Sequence, residues 1–236
     1  MKMRFALLLT LLFASTVNAS LITNDIIFGS GNVNRGFTVS TFGDLELALR
    51  AKQRYTSPND ALGVGIVQDI AGNYLFDSTG QTVPPNRALW SFDWSINSDI
   101  VDGSDPLNTY NYIMRVDYDP SAAISFNEYD PLSLVGTGFY LGTNATGNGA
   151  SSFSSDITQL GSFNLAQNSV NYGFLPRAPL GSGQYRIELQ ATDASGQLIG
   201  ASAIDVYVDT TPVNAPATLG MLFFAAGVLI IARRKK

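Results

Sequence analysis

The chain has 236 residues, 45% hydrophobic and 14% charged, with a formal net charge of −5. It contains neither Cys nor His, which excludes disulfides, thiol nucleophiles, imidazole bases and the usual zinc or copper ligand sets. The acidic excess disfavours nucleic acid and anionic membrane surfaces as partners.

Taken in chain order, residues 1–19 read as a secretory signal peptide. Lys2 and Arg4 make a positive start, Phe5 to Ala14 an apolar stretch, and Val17-Asn18-Ala19 a small-residue site with cleavage expected after Ala19. The apolar run is too short for a membrane anchor. Residues 20–209 form one expected domain. Two basic residues lie in the signal peptide and four at the extreme C-terminus, leaving 8 of 14. All 19 acids lie between the ends, so that segment carries a formal balance of −11. Such a surface keeps an exported domain soluble and attracts cations.

Within the domain, FTVST (37–41) is β-rich, and LELALRAKQRY (45–55) alternates with Leu45, Leu47, Leu49 and Ala51 on one face. Its residues favour helix, but the strict period of two predicts a strand. In ALWSFDWSIN, Trp90, Phe92, Trp94 and Ile96 oppose Ser91, Asp93, Ser95 and Asn97. In NTYNYIMRVDYDP, Tyr110, Tyr112, Met114, Val116 and Tyr118 share a face, and Pro120 ends the run. The Gly- and Ser-rich stretch 136–155 reads as surface loop. A short helix is expected around Ile157–Leu165. GQYRIELQATD (183–193) and LIGASAIDVYVD (198–209) form a hairpin about Asp193-Ala194-Ser195-Gly196. Many short strands, Gly-rich turns and no long amphipathic helix predict an all-β domain, a two-sheet β-sandwich of immunoglobulin-like or jelly-roll-like type.

Residues 210–216 form a linker, and 217–232 are 16 residues without a charge. As a helix these would span about 24 Å against a bilayer core of about 30 Å. They are expected to enter the inner membrane as a helix begun by Pro216. Arg233, Arg234, Lys235 and Lys236 would form a basic cytoplasmic tail.

A proline motif, a small apolar helix and a terminal basic cluster together resemble the PEP-CTERM sorting signal of Gram-negative bacteria. That family's usual motif is Pro-Glu-Pro. Here Asn214, Ala215 and Pro216 stand in its place, followed by Ala217-Thr218-Leu219. The resemblance implies processing by an exosortase and an association with exopolysaccharide and biofilm. The domain itself, through FTVSTFGDLELALRAKQRY, WSFDWSIN, YDPS, GTNATGNG and AQNSVN, resembles a group of PEP-CTERM proteins of uncharacterised function over residues 30–209. That likeness implies no activity.

Candidate chemistry is sparse. Glycosidases need two carboxylates flanking a cleft. The chain has three Glu. Glu46 and Glu188 read as solvent-facing, and Glu128 lies among aromatics in FNEYDP. Clustered oxygen ligands suit calcium, and the candidates are Asp99, Asp102 and Asp105 in SDIVDGSDP with Asp117 and Asp119 in VDYDP. Trp90 and Trp94, and Tyr110, Tyr112 and Tyr118, offer rings for glycan stacking, although alternation places them toward a core. Asn144 heads an Asn-Ala-Thr sequon. The expectation is an exported, non-catalytic surface or matrix protein. The alternative is a carbohydrate-binding module or a carboxylate-dependent polysaccharide hydrolase.

Overall fold

Alternation does set the fold: eleven strands form among the described residues, and none of them is replaced by an α-helix. The structure is a computed structural model describing residues 26–27, 35–55, 65–133, 138–147 and 151–212. The expected signal peptide with Ala19, and the C-terminal elements Asn214, Ala215, Pro216, 217–232 and Arg233–Lys236, lie outside the described residues. No helix among the described residues is long and apolar enough to cross a membrane.

The strands are β1 (Thr38–Phe42), β2 (Leu45–Gln53), β3 (Tyr74–Phe76), β4 (Trp90–Asn97), β5 (Asn111–Asp117), β6 (Phe126–Tyr129), β7 (Phe139–Gly142), β8 (Ser152–Ser154), β9 (Leu165–Asn171), β10 (Gly183–Thr192) and β11 (Leu198–Val208). They make two sheets. The first runs β1-β2-β4-β9-β7-β8 and the second β3-β11-β10-β5-β6. All pairings are antiparallel except β3 with β11. One hydrophobic cluster joins the facing sides: Leu45, Leu47 and Leu49 of β2 and Trp90, Phe92, Trp94 and Ile96 of β4 meet Met114, Val116, Ile187, Leu189, Ile204 and Val206.

The expected inward faces of β2, β4, β5, β10 and β11 are therefore inward. The predicted hairpin also forms. Asp193 Oδ1 accepts from the N–H groups of Ser195 and Gln197, and Gly196 takes a φ of 83°, which a side chain would resist.

Two expectations need correction. The stretch 136–155 is not simply loop, because it contains β7 and β8. The helix near Ile157 is a 3₁₀ turn over Ile157–Ser162, and Leu165 already begins β9. A further finding concerns β4, whose polar face is not open. Ser91, Asp93, Ser95 and Asn97 are all buried, as are Arg50 and Lys52 of β2 beside them. β4 is a central strand flanked by β2 and β9, which supply the partners its polar side chains need. Arg50 Nε donates to Asp93 Oδ2 at 2.5 Å, and Lys52 Nζ lies 3.0 Å from the same oxygen. The Arg50 guanidinium also stacks 4.3 Å from the Phe37 ring centre.

At one end of the core, Trp90 stacks on Tyr172 with ring centres 4.4 Å apart and an interplanar angle of 17°. Tyr185 lies 5.2 Å from Tyr172. Asn171 holds the chain beside them. Its Oδ1 accepts from the N–H groups of Ala88 and Gly173, and its Nδ2 donates to the carbonyls of Ala88 and Trp90.

Burial pushes the phenols of Tyr74, Tyr112, Tyr118 and Tyr172 well above the ordinary tyrosine value, and that of Tyr185 up to about 12. A raised folded-state value means the stability is complete below the unfolded value of about 10. It is lost as the pH climbs through the folded values, because only the unfolded chain then releases its phenolic protons. The domain is expected to unfold cooperatively above about pH 10. Phenolate absorbance and loss of β-sheet circular dichroism should rise together. Gradual phenolate titration with the sheet signal intact would contradict this.

Candidate functional site

The two ends of the sandwich differ. At one, β4 finishes at Asn97 and β5 starts at Asn111, and the connection 98–110 is stitched to its neighbours by backbone bonds. Ser98 N donates to Asn164 O, Ile100 N to Asp44 O and Leu107 N to Phe163 O, each at 2.8 Å. Three asparagines converge there. Asn164 Nδ2 donates to Asn97 Oδ1 and Asn144 Oδ1, Asn97 Nδ2 donates to Asn144 Oδ1, and Asn144 Nδ2 donates to the Asp99 carbonyl. The Asn144 amide is thus built into the fold rather than held out from it. Gly103 sits against this knot at φ 73°, where a Cβ would lie 3.3 Å from Asn164 Oδ1.

The calcium candidates fall into two groups. Asp99, Asp102 and Asp105 share the 98–110 connection. Asp117 and Asp119 lie at the opposite end, at the close of β5 and just beyond it. Asp99 Oδ1 accepts from Val101 N and Asp102 N, and its Oδ2 from Ser104 N and Asp105 N. Burial alone would raise its pKa, but hydrogen bonding with Asp102 and from these backbone N–H groups holds it below the usual carboxylate range. Asp102 Oδ1 accepts from Ser104 N, and Asp117 Oδ1 accepts from Asp119 N and Ser125 N. These oxygens are aimed at the chain's own N–H groups, which a cation would have to displace. No group of three acidic side chains among the described residues is arranged to hold a metal ion. The melting temperature is expected to be the same in calcium and in chelator. A rise of several degrees with calcium would overturn that.

Glu128, on β6, lies 3.3 Å from Arg115 Nε, and Glu188 Oε2 accepts from Arg115 Nη1 at 2.7 Å. Glu188 also pairs with Arg186, which reaches Asp205. The two Glu candidates therefore belong to a charge ladder across β6, β5, β10 and β11 rather than to the walls of a cleft. Glu46 lies on β2, in the other sheet. Trp90 and Trp94 are core residues, 2% and 0% exposed, with no face open to a sugar.

Tyr110 and Tyr112 differ from the tryptophans. They line a cleft of about 280 Å³ at the Asn97–Asn111 end. Leu107 and Leu132, both buried, are its apolar lining. Ile157 and Leu160 of the 3₁₀ turn form one side, and Asn108, Asn111 and Asp130 bring amide and carboxylate groups to it. The two tyrosine rings meet edge to face, 6.4 Å between centres. Tyr112 is only 6% exposed and its hydroxyl has no hydrogen-bond partner among the described residues, a penalty of about 1–3 kcal/mol. Burial raises the Tyr110 phenol, and the carboxylates of Asp105, Asp44 and Asp99 add to it, so the cleft opens beside an acidic loop. A second hollow of about 350 Å³ lies at the other end, beside Pro84, Pro85 and Arg87. Its Asp209 is already bonded to Ser78 and Ser182, and the Arg87 guanidinium stacks on Phe174.

No family model matches this chain, and no curated protein matches it. The chemistry of the site is therefore argued from its own residues. Sequence reasoning singled out Tyr110 and Tyr112 but not Asn108, Asp130, Leu132, Ile157 or Leu160, which come from three separate segments. No local pattern links those segments. Nor did it foresee Arg50 and Lys52 as partners of Asp93, although opposite charges on the polar faces of two neighbouring strands were a usable signal.

Proposed function

We propose that the chain is an exported, non-catalytic protein of the cell surface or extracellular matrix of a Gram-negative bacterium. It carries a PEP-CTERM-like signal for processing by an exosortase and works alongside exopolysaccharide. The observation that carries this reading is the pairing of a cleavable start ending at Ala19 with Pro216, the uncharged 217–232 stretch and Arg233–Lys236. The signal peptide sends the domain outward, and the basic tail keeps the last residues inside. Both place residues 20–209 on the outer side. The apolar stretch then acts as an inner-membrane helix until the exosortase removes it.

The domain suits that destination. With no Cys it depends on no disulfide, and we read its two packed sheets as a sandwich of the immunoglobulin-like or jelly-roll-like kind found in extracellular modules. Support for a non-catalytic role comes from the carboxylates. Asp93, Glu128 and Glu188 pair with cations, and Asp99, Asp117 and Asp193 organise turns.

Fractionation of the producing cell tests the reading. The full chain should be found in the inner membrane when the exosortase is deleted, and outside the cell, lacking the C-terminal segment, when it is present. Its mature N-terminus should be Ser20. Intact polypeptide with Met1 in the cytosol would sink the proposal.

A further inference from the structure

We propose that the Tyr110–Tyr112 cleft binds one or two units of a neutral saccharide. This rests on the reading of the chain as an exported protein that meets exopolysaccharide, and it adds the place and the chemistry of the contact. A sugar ring is apolar on its faces and ringed by hydroxyls at its edge. The cleft offers the matching pair of surfaces. Leu107, Leu132 and the tyrosine rings present apolar area, and Asn108, Asn111 and Asp130 present donors and acceptors for hydroxyls. The volume, about 280 Å³, lies just under the roughly 300–1,000 Å³ of small-molecule sites. It suits a terminal or branch unit rather than a long stretch of chain.

The Tyr112 hydroxyl makes the cleft more than a dent between loops. It is a buried polar group without a partner among the described residues, in a residue that lines the opening. Native proteins rarely leave such groups unpaired. A small turn of the ring toward the cleft would let a sugar hydroxyl supply the missing bond.

Charge chooses among sugars. No Lys or Arg among the described residues lines the cleft, Asp130 does, and Asp99, Asp102 and Asp105 occupy the neighbouring loop. A uronate or a phosphorylated sugar would enter a negative field with no cation to receive it. Ligands are therefore neutral.

The test is titration of the full chain, purified in detergent, with maltotriose, cellotriose, mannotriose and a galactose trisaccharide, and with trigalacturonate as the anionic control. At least one neutral trisaccharide should bind with a Kd of about 1 mM or tighter, and trigalacturonate should bind at least tenfold more weakly. Tyr110→Ala should weaken binding at least tenfold. Tyr112→Phe keeps the ring and removes the orphaned hydroxyl. It should weaken binding at least threefold while leaving the melting temperature unchanged or higher, a split that a purely structural role for Tyr112 would not produce. The proposal is overturned if no neutral trisaccharide binds, if trigalacturonate binds as well as they do, or if both variants bind like the parent. Each result is independent of fractionation, so failure here leaves the export proposal standing, and the reverse also holds.

Discussion

Asp93→Asn should cost about 3–5 kcal/mol of unfolding free energy, the usual consequence of removing one member of a buried ion pair. Asp93 is fully buried between Arg50 and Lys52, and one of its oxygens faces both cations. Neutralising it strands two positive charges out of water. Lys52→Met should be far milder. Burial lowers the Lys52 pKa even though Asp93 pulls it upward, so the ammonium is poorly compensated where it stands. Removing it leaves Arg50 and Asp93 as a neutral pair, at a cost under about 1 kcal/mol. In the Asp93→Asn background the same change should restore at least about 1 kcal/mol, because residues in one ion-pair network do not add independently. Urea unfolding of the four proteins measures all three values. Equal effects of Lys52→Met in both backgrounds would show that the cluster is not coupled.

The acid limb has a matching sign. Burial would raise the Asp93 pKa, but Arg50 and Lys52 outweigh it and hold the carboxyl below its ordinary value. Its stabilising contribution is thus present above the unfolded value of about 3.9 and disappears as the pH falls through the folded one. Asp93→Asn should flatten that part of the stability curve.

Trp90→Ala should cost about 3–5 kcal/mol, as for other large-to-small changes in a packed core. Trp90 is 2% exposed and stacks on Tyr172, with Phe76 at 6.5 Å and Tyr185 at 5.8 Å. Its removal opens a hole that the surrounding rings cannot close, because they are fixed from behind. Tyr172 donates to the Asp117 carbonyl and Tyr185 to the Gly181 carbonyl. Trp90→Phe should cost less than the alanine change, since it preserves an aromatic face for Tyr172. Denaturant unfolding followed by the fluorescence of the remaining Trp94 reports both. A loss under about 1 kcal/mol for Trp90→Ala would mean that the aromatic stack is not part of the cooperative core.

The sequence made the strands visible wherever apolar and polar residues alternate. β2, β4, β5, β10 and β11 were readable for that reason, even β2 with its helix-favouring Leu, Ala and Lys. β9 was not. Its LAQNSVN buries Gln167, Asn168 and Asn171, and a strand buried on both faces through polar side chains has no hydrophobic period to detect. The same limit hid the environment of Asp93. Alternation says that one face of β4 is polar, but whether that face meets water depends on which strands flank it. The acidic turns were legible because Asp followed within a few residues by Gly or Ser is local chemistry. The tyrosine cleft was only half legible. Tyr110 and Tyr112 are neighbours in sequence, but Asp130, Leu132 and Leu160 reach them only through the folding of both sheets.

The direction of β11 has a bearing on how such a domain would be displayed. The strand starts at Leu198, beside the Asp193 turn that Asn111 touches, and finishes at Val208, just before the route to the tail. Eleven residues of extended chain measure roughly 36 Å at about 3.3 Å each. Before processing, a body moored in the inner membrane by its last residues would keep its foot at the lipid and lift Tyr110 and Tyr112 by nearly the height of the molecule, pointing them away from that bilayer.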